Sequence, residues 1–479
     1  LDQVCTLCLA GGWAGERFSV SNFCCDQTSN TGGSLYAPAP VFSNDQIAYQ
    51  LTNVFWGGSQ RSFSVGVAGT LSVNIASLPS SAQNLARKAL ELWSDATGLT
   101  FSFTSGSAQI EFGDTDAYSA YSWSSGSGTT ILYSYVNVGW DWLATYGTVY
   151  NSYSFQTYIH EIGHALGLGH SGNYNGSATY GIDNHYANDS WQASVISYFS
   201  QGENTSINAS SAYAVTPQVA DVIAIRNLYG TSGNTRTGNT VYGDNANSGD
   251  LMQTLSSMNS YISYTIVDDG GIDTLDFRSS GFDQTIDLRE EAISSVRGYT
   301  GNLIIARGSV IENAIGGSGD DVLIGNDHGN TLRGGQGRDL FYGHGGNDVI
   351  YFGLGDLNKL GSAPVDMGGS GTDTLVLESG TTFRTGGLSW YGFERFVGAS
   401  GDDYVAGNDA SVDYILRGNA GNDTLIGNSG NDTIAGGSGR DLLMGGGGND
   451  RIYFDSDDIT KQGGLPVDLG GAGRDTLVM

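Results

Sequence analysis

The 479-residue chain has few basic residues. It contains 20 Lys and Arg residues against 49 Asp and Glu residues, which gives a formal net charge of −29. Nucleic acids and anionic membranes attract basic surfaces, so this balance argues against both as partners. An acidic chain is better suited to binding cations, although scattered surface carboxylates can equally serve only to keep a protein soluble.

Long apolar segments are also missing. No run approaches the roughly 20 residues that a membrane helix needs, and the stretch after Leu1 lacks a basic segment followed by an apolar one. The sequence therefore predicts a soluble chain without membrane insertion, from which any targeting segment has already been removed.

Cysteine is scarce and confined to one end of the chain. Cys5, Cys8, Cys24 and Cys25 are the four cysteines, and all precede residue 26. Disulfide bonds are favoured over a cysteine metal site, because the adjacent Cys24 and Cys25 are poorly placed to bind one ion. Four cysteines allow three pairings, and the sequence does not choose between them. We treat residues 1–40 as a separate Cys-rich segment.

The first half of the chain carries mixed helix and strand patterns. Apolar residues at helical spacing predict a helix over residues 80–97, with Ser80 or Ser81 available to cap it. A second helix is expected over about residues 152–168, ended by Gly167 and Gly169, and a third over residues 217–229. Runs of β-branched and aromatic residues predict three strands: residues 99–104, 108–112 and 129–138.

Glycine is abundant in the second half, where it recurs at a fixed period. Lysine becomes rare and glycine frequent beyond residue 235, so we place a domain boundary there. Nine-residue units form two blocks, residues 316–376 and 398–478, and the motif at Gly334 recurs at Gly436, an offset of 436 − 334 = 102. The chain ends at Met479 within a copy, so we expect a precursor that continued further.

Each unit follows the pattern Gly-Gly-x-Gly-x-Asp-x-apolar-x, the signature of a calcium-binding parallel β-roll. The acid at the sixth position is expected between successive turns and the apolar eighth residue in the core, since calcium requires six to eight oxygen ligands. A glycine-rich linker would not keep nine units in register. The sixth-position acids are Asp321, Asp339, Asp348, Asp403, Asp423, Asp432, Asp441 and Asp450, and Asn330 takes that place in one unit.

A metal motif lies in the middle of the chain, where residues 160–170 read His-Glu-Ile-Gly-His-Ala-Leu-Gly-Leu-Gly-His. On a helix, His160 and His164 face the same side one turn apart and can bind one ion. Glu161 lies beside them as a general base, and a turn at Gly167 would return His170 to the ion. Three protein ligands plus water is the arrangement of a catalytic zinc site.

This motif resembles that of the metzincin zinc peptidases, and the sequence after it is similar to the serralysin family of secreted bacterial proteases. The family's tight turn reads Ser-x-Met-Ser-Tyr, and here residues 194–198 read Ser-Val-Ile-Ser-Tyr. The resemblance covers residues 41–376. It implies an α+β metzincin-type protease domain over residues 41–235, with a mixed sheet and an active-site helix, followed by an all-β parallel β-roll domain over residues 236–479.

The resemblance also implies roles for single residues. Tyr198 would be a further zinc ligand that helps to stabilise the oxyanion, and Ile196 replaces the methionine that lies beneath the zinc without binding it. Ile196 is similar in volume to methionine but stiffer, so activity should survive while the placement of the ligands becomes less certain. An edge strand that pairs with substrate would include Ala117, Tyr118, Tyr121 and Trp123, whose aromatic rings could equally be ordinary core or surface residues.

Further calcium ligands follow from the resemblance alone. One site would join the two domains, with ligands at Arg236, Gly238, Thr240, Asp268, Gly270, Gly271, Asp273, Val310 and Glu312. Within the first block the ligands would include Gly317, Gly319, Asn326, His328, Gly335, Gly337, His344, Gly346 and Asp373, in addition to the sixth-position residues.

Together these features predict a secreted, calcium-dependent zinc endopeptidase with one catalytic zinc and several structural calcium ions. Polypeptides are the expected substrates, a monomer is the expected state, a proteinaceous inhibitor is a further expected partner, and the repeats suggest type I secretion with folding outside the cell. Two other hypotheses remain: a calcium-dependent binding protein with a vestigial protease domain, and a zinc hydrolase with non-peptide substrates. The retained Glu161 argues against the first of these.

Overall fold

The computed structural model describes residues 39–356, 367–461 and 470–479. The chain divides into two compact units. The first contains residues up to Thr235 together with Ser260–Asp269 and Gly301–Gly308. The second contains Arg236–Asn259, Gly270–Thr300 and Ser309–Met479. The four cysteines, and with them the predicted disulfide bonds, lie outside the described residues.

The first unit combines helices with short strands. Its helices are α1 Asn44–Tyr49, continued by a π-helical turn over Gln50–Val54, α2 Ser80–Thr97, α3 Trp140–Tyr146, α4 Tyr153–Ala165 and α5 Val219–Tyr229. Its strands are β1 Ser62–Phe63, β2 Thr70–Asn74, β3 Thr100–Phe103, β4 Ile110–Gly113, β5 Ala120–Ser127, β6 Thr130–Val138, β7 Tyr213–Ala214, β9 Ile262–Ile266 and β13 Tyr299–Ile305.

A mixed sheet forms one layer of the first unit. Strands β1, β6, β4, β2 and β3 run in that order and pair in parallel, while β5 pairs with β6 in the antiparallel sense and forms an edge. Helices α2 and α4 are packed together, and the buried Trp93 of α2 donates its indole N–H to the Ile159 carbonyl of α4 (3.0 Å). The helix that carries the histidine motif is therefore anchored in the core.

The predicted helix over residues 80–97 is confirmed as α2, and the three predicted strands are confirmed as β3, β4 and β6. The expectation that Ser80 or Ser81 caps α2 is wrong. Pro79, in extended conformation, occupies the cap position, and no side chain caps the helix there. The third predicted helix is α5, which begins at Val219 and stops at Gly230 with a positive φ of 75°.

The second unit consists mainly of three- to six-residue strands. Its first elements are β8 Val241–Gly243, α6 Leu251–Ser257, β10 Thr274–Asp276, β11 Thr285–Asp287 and β12 Ile293–Val296. The first repeat block and the residues that border it add β14 Asn313–Ile315, β15 Val322–Ile324, β16 Thr331–Arg333, β17 Leu340–Tyr342, β18 Val349–Phe352 and β19 Thr374–Leu377. The second block and its approach add β20 Arg384–Thr385, β21 Arg395–Val397, β22 Tyr404–Ala406, β23 Ile415–Ala420, β24 Thr424–Asn428, β25 Thr433–Ser438, β26 Leu442–Gly446, β27 Arg451–Tyr453, α7 Ser456–Lys461 and β28 Thr476–Val478.

Successive repeat strands alternate between two parallel sheets. Strand β16 pairs with β14 and β18, while β15 and β17 pair with each other, so strands two units apart are neighbours. The second block repeats this arrangement with β23, β25 and β27 in one sheet and β22, β24 and β26 in another. Two nine-residue units therefore make one turn of the coil.

The eighth residue of each unit fills the space between these sheets, as predicted. The set is fully or almost fully buried: Leu323, Leu332, Phe341, Ile350, Val405, Leu425, Ile434, Leu443 and Ile452. The predicted fold class is confirmed, because a mixed helix and sheet unit with the histidine motif on a helix is followed along the chain by many short parallel strands typical of a β-roll.

Within the described ranges, no helix combines the length and apolar character needed to cross a membrane.

Gly437 and Gly386 provide a matched test of the repeat turns. Gly437 has a φ of +102° and lies so close to the Asn419 carbonyl that a Cβ would collide with it, whereas a Cβ on Gly386 would meet nothing within 4 Å. We expect Gly437→Ala to lower the free energy of unfolding by about 1–2 kcal/mol or more. Gly386→Ala should change it by less than about 0.5 kcal/mol. Urea denaturation of both variants measures the difference, and equal stability would contradict this account of the turn.

Candidate metal centre

Helix α4 presents the motif because both of its ends are defined locally. Ser152 caps its start by accepting a hydrogen bond from the backbone N–H of Phe155 (3.2 Å). The helix ends at Ala165, three residues before the predicted end, because Gly167 adopts a φ of +114° that a helix cannot continue. A Cβ on Gly167 would collide with the Arg61 carbonyl, so glycine is required there for close approach as well.

The three histidines of the motif converge. His164 Nε2 lies 3.0 Å from His160 Nε2 and 3.1 Å from His170 Nε2. In the part of the chain that the structure describes, these residues are the only group of three or more His, Cys, Asp or Glu side chains arranged to hold a metal ion. Two nitrogens at about 2.0–2.1 Å from a tetrahedral zinc would be about 3.3 Å apart, so the observed spacing fits one zinc ion.

Backbone carbonyls orient two of the rings. The Val195 carbonyl lies 2.9 Å from His160 Nδ1, and the Leu168 carbonyl lies 2.8 Å from His164 Nδ1. A carbonyl can only accept, so each Nδ1 carries the proton and each Nε2 presents its lone pair to the common point. Lone pairs that face one another at this distance repel, and a cation between them removes that repulsion.

Burial keeps these imidazoles neutral. It lowers the pKa of His164 to about 4, and burial together with the neighbouring His164 ring lowers the pKa of His160 to about 3. Burial likewise lowers the pKa of His170. Neutral imidazole is the form that binds a metal, so the site is ready to do so at neutral pH.

The turn over residues 194–198 lies beneath the motif. Ile196 is fully buried, and its Cδ1 lies so near Gly163 of α4 that a Cβ at Gly163 would be only 2.6 Å away. The glycine inside the motif thus makes room for the residue that replaces methionine. Whether Ile196 changes the placement of the ligands stays a prediction.

Asp221 holds this turn in place. Its carboxylate accepts hydrogen bonds from Ser194 Oγ (2.6 Å), the Val195 N–H (2.7 Å) and the Gln218 N–H (2.8 Å). Burial raises the pKa of Asp221 to about 7. The carboxylate holds the backbone of Val195 through its N–H, and the carbonyl of the same residue orients His160. We did not single out Asp221 from the sequence: an acid in the first turn of α5 could be read there, but not its partner turn.

Tyr198 lies beside the three histidines. Its ring centroid is 4.6 Å from that of His170, and its hydroxyl accepts a hydrogen bond from the Gly176 N–H (3.3 Å). The buried Asp189 accepts hydrogen bonds from Ser197 Oγ (2.7 Å) and the Tyr174 hydroxyl (3.1 Å), and so supports the loop around Tyr198. Asp189 was also not singled out from the sequence.

Two cavities flank the histidines. One is lined by Glu161, His160 and Tyr198 together with side chains from α3 and α4. The other is lined by His164, His170 and residues of β5. Glu161 is almost completely buried and follows His160 directly in α4. The site therefore offers room on both sides of the metal-binding point.

The predicted substrate-pairing strand is β5, but its start differs from the prediction. Tyr121 and Trp123 lie in β5, whereas Ala117 and Tyr118 precede it, because the chain turns back against Gly139 there. Trp123 is 36% exposed and packs near Tyr133, with ring centroids 5.3 Å apart. Strand β5 pairs only with β6 and leaves its other edge available within the described residues.

The histidines outside the motif are surface residues. His185, His328 and His344 are exposed, and His185 lies edge-on to Phe42.

In the second unit, the sixth-position acids form ladders. The Asp321 N–H donates to Asp339 Oδ1 (2.8 Å), the Asp403 N–H to Asp423 Oδ1 (2.7 Å), and the same bond recurs in other turns. Their second oxygens are buried, and those of four members have no hydrogen-bond partner among the described residues: Asp348, Asp403, Asp432 and Asp450. Buried carboxylate oxygens without a hydrogen-bond partner are suitable ligands for a cation.

The residues near the start of the second unit that were predicted to bind calcium are partly brought together. Thr240 donates its N–H to Asp273 Oδ1 (2.6 Å), and Asp273 donates its own N–H to Glu312 Oε2 (2.7 Å). A Cβ on Gly271 would be 2.5 Å from the Gly238 carbonyl oxygen. Asp268 is buried in the first unit.

Comparison with known proteins identifies the family of this chain. Residues 231–479 match the family described as Peptidase M10 serralysin C terminal, which is more than half of the chain. The chain belongs to the serralysin family. Serralysin C of Dickeya chrysanthemi is 36% identical over 321 residues, which cover 60% of this chain and 64% of that protein.

Other serralysin relatives match shorter segments. Serralysin of Photorhabdus luminescens is 46% identical over 187 residues, 38% of each chain. Metallopeptidase AprA of Pseudomonas marginalis is 37% identical over 267 residues, 51% of this chain and 54% of that protein. The chain thus spans less than two thirds of the length of these serralysin relatives.

Asp221 provides a test of how this serralysin-family chain holds its metal centre. Alanine removes the carboxylate that accepts hydrogen bonds from Ser194, Val195 and Gln218, so the Val195 carbonyl should lose its fixed position. We expect Asp221→Ala to weaken zinc binding about 10- to 100-fold, measured by competition with a chromogenic chelator. Asp183→Ala removes an exposed carboxylate that accepts from the Thr179 N–H and serves as the control. Equal zinc affinity of both variants would contradict the role of Asp221.

Proposed function

We propose that the chain is a zinc-dependent endopeptidase that hydrolyses extracellular polypeptides. The observation that carries this proposal is the convergence of three neutral imidazoles beside a buried carboxyl group, between two cavities. His160, His164 and His170 would hold the zinc. Three protein ligands leave one position for water, as a hydrolytic site requires.

Zinc, when bound, lowers the pKa of a water molecule and polarises the substrate carbonyl. Glu161 would accept the proton from that water and would later deliver it to the leaving amine, because its position after His160 places it beside the metal-binding point. Tyr198 would serve as an additional ligand, and its hydroxyl would donate a hydrogen bond to the developing oxyanion. In this structure that hydroxyl accepts a hydrogen bond from the Gly176 N–H.

The free edge of strand β5 favours a peptide as the substrate. Its free edge can pair with an extended chain by backbone hydrogen bonds, and such pairing binds peptides with little regard to sequence. Ser122 and Trp123 of β5 line the cavity that also contains His164. A substrate on this edge would therefore pass directly over the metal-binding point. A zinc hydrolase for small non-peptide substrates has no need of such an edge.

Glu161→Gln is the direct test of the chemistry. Glutamine keeps the shape of the side chain but cannot accept the proton, so we expect casein hydrolysis to fall about 10²- to 10⁴-fold while zinc stays bound. Removal of zinc from the wild type should abolish hydrolysis, and zinc alone should restore it. Glu91→Gln makes the same change on α2, outside both cavities beside the histidines, and serves as the control.

The peptidase, zinc hydrolase and binding-protein hypotheses predict different results in these assays. A wild-type protein that binds zinc and cleaves no protein would refute the peptidase function. In that case a screen of ester and amide substrates would test the zinc hydrolase hypothesis, and calcium-dependent adhesion would test the binding-protein hypothesis.

We further propose that residues 41–235 form the protease domain and residues 236–479 a calcium-binding β-roll with two repeat blocks. Support comes from the carboxylate ladders and from the partnerless buried oxygens of Asp348, Asp403, Asp432 and Asp450. The last three belong to the second block, so calcium would bind there as well as in the first block. Folding coupled to calcium binding would suit secretion in an unfolded state, followed by folding outside the cell.

The pKa values of these acids predict how pH changes the calcium effect. Burial raises the pKa of Asp348 to about 7 and those of Asp403 and Asp432 to about 6, above the ordinary value of 3.8. Without calcium, these carboxyls favour the folded state when protonated, and that contribution is lost as the pH rises from about 4 to 7. We expect calcium to raise the melting temperature more at about pH 7.5 than at about pH 5.

Circular dichroism melts in calcium-depleted and calcium-containing buffer measure this difference, with zinc supplied in both. The lowered pKa values of His160 and His164 act in the opposite direction, but they affect both arms equally and cancel in the difference. A calcium effect of the same size at both pH values would contradict the role of these carboxyls. No calcium effect at either pH would refute the calcium-binding proposal.

A further inference from the structure

The cavity beside His164 and His170 contains one basic side chain. Arg61 lines it together with Phe55, Trp56, Ser122, Trp123 and Ile131. Arg61 directly precedes β1, whose pairing with β6 is fixed by the Ser62 N–H donating to the Thr129 carbonyl (3.2 Å). Arg61 is therefore carried by the sheet rather than by a long loop.

The aromatic walls connect this cavity to the metal motif. The Trp56 indole N–H donates to the Gly167 carbonyl (2.8 Å), and the Phe55 ring lies edge-on to His170 with centroids 5.1 Å apart. A side chain that enters the cavity must come from a substrate residue next to, or very near, the bond that is cleaved.

The Arg61 guanidinium lies over the Trp56 ring, 4.3 Å from its centroid. Stacking occupies the face of the guanidinium and leaves the N–H groups in its plane able to donate. Among the described residues, Arg61 has neither an ion pair nor a side-chain hydrogen bond. Burial lowers the pKa of Arg61, as expected for a partly buried cation without an acidic neighbour.

Ser122 adds a second polar group to the same cavity. Its side chain is 6% exposed, and its hydroxyl has no hydrogen-bond partner within the described residues. A buried hydroxyl without a partner costs free energy unless a ligand satisfies it. Arg61 and Ser122 thus offer donors in a cavity whose other walls are mostly apolar.

We propose that this cavity is a substrate subsite that selects an acidic side chain, with Arg61 as its specificity-determining residue. The apolar walls contact the methylene groups of the substrate residue, while Arg61 and Ser122 donate hydrogen bonds to its carboxylate. A carboxylate and a guanidinium in a partly enclosed site attract more strongly than in water. This inference rests on the proposed peptidase function and names the substrate preference of that site.

A purely structural role for Arg61 makes a different prediction. If the guanidinium only covered Trp56, its loss would reduce the stability of the protein and the cleavage of all peptides alike. A specificity role changes the ratio of rates between acidic and basic peptides instead.

The test is a cleavage profile of a mixed peptide library by mass spectrometry, followed by kcat/KM for peptides with Glu, Gln, Leu or Lys at the identified position. We expect the wild type to favour Glu over Lys by about tenfold or more at one position. Arg61→Gln should remove this preference, and Arg61→Glu should reverse it. Ser122→Ala should reduce the preference for Glu without reversing it.

Arg87 provides the matched control. It also lies over an aromatic ring, with its guanidinium carbon 3.9 Å from the Phe103 centroid, but it is exposed on α2 and lines neither cavity beside the histidines. Arg87→Glu should leave the profile unchanged. Normalising each rate to the Leu peptide corrects for any loss of folded Arg61 variant.

Two results overturn the inference while leaving the peptidase function intact. The first is a zinc-dependent cleavage profile without a preference for acid at any position. The second is an unchanged ratio of Glu to Lys cleavage in Arg61→Glu. If the wild type cleaves no peptide in the library, the proposed function fails and the inference fails with it.

Discussion

The convergence of three imidazole lone pairs on one point is the constraint on which the rest of the first unit depends. The Val195 and Leu168 carbonyls fix two of the rings by accepting hydrogen bonds from their Nδ1–H groups. Asp221 in turn fixes the Val195 peptide, and the positive φ of Gly167 returns the chain toward His170. The buried carboxylate of Asp221 carries a desolvation cost, and the bonds to the ring nitrogens orient the imidazoles in the way that metal ligands are oriented.

The second unit also brings together groups suited to bind cations, but these groups are carboxylates and not imidazoles. Each turn of its coil buries a carboxylate, and one oxygen of each accepts a backbone N–H from a neighbouring turn. In Asp348, Asp403, Asp432 and Asp450 the other oxygen has no hydrogen-bond partner among the described residues and is left for a cation or a proton. A cation bound there would link successive turns. The stability of the coil would therefore depend on how many of its calcium sites are occupied. In the sequence, the acidic residues could be taken to serve only solubility. The sixth-position aspartates are instead buried and held by hydrogen bonds.

Periodicity and motif spacing predicted the helices and strands well. They failed where contacts between residues distant in sequence determine the end of an element. The repeat pattern identified the buried residues of the coil because that structure is local in sequence. The end of α4 at Ala165 and the start of β5 at Ala120 depend on close approaches to Arg61 and Gly139, which no spacing reveals. Asp221 escaped notice for the same reason, since its partners lie 26 and 27 residues earlier in the chain.

X-ray absorption at the zinc edge tests the central claim most directly. The protein loaded with one equivalent of zinc should show three nitrogen neighbours at about 2.0–2.1 Å with the multiple scattering of imidazole rings, completed by oxygen. His164→Ala should remove one imidazole from this shell. A shell of sulfur ligands, or one made of oxygen alone, would contradict the assignment of the site to His160, His164 and His170.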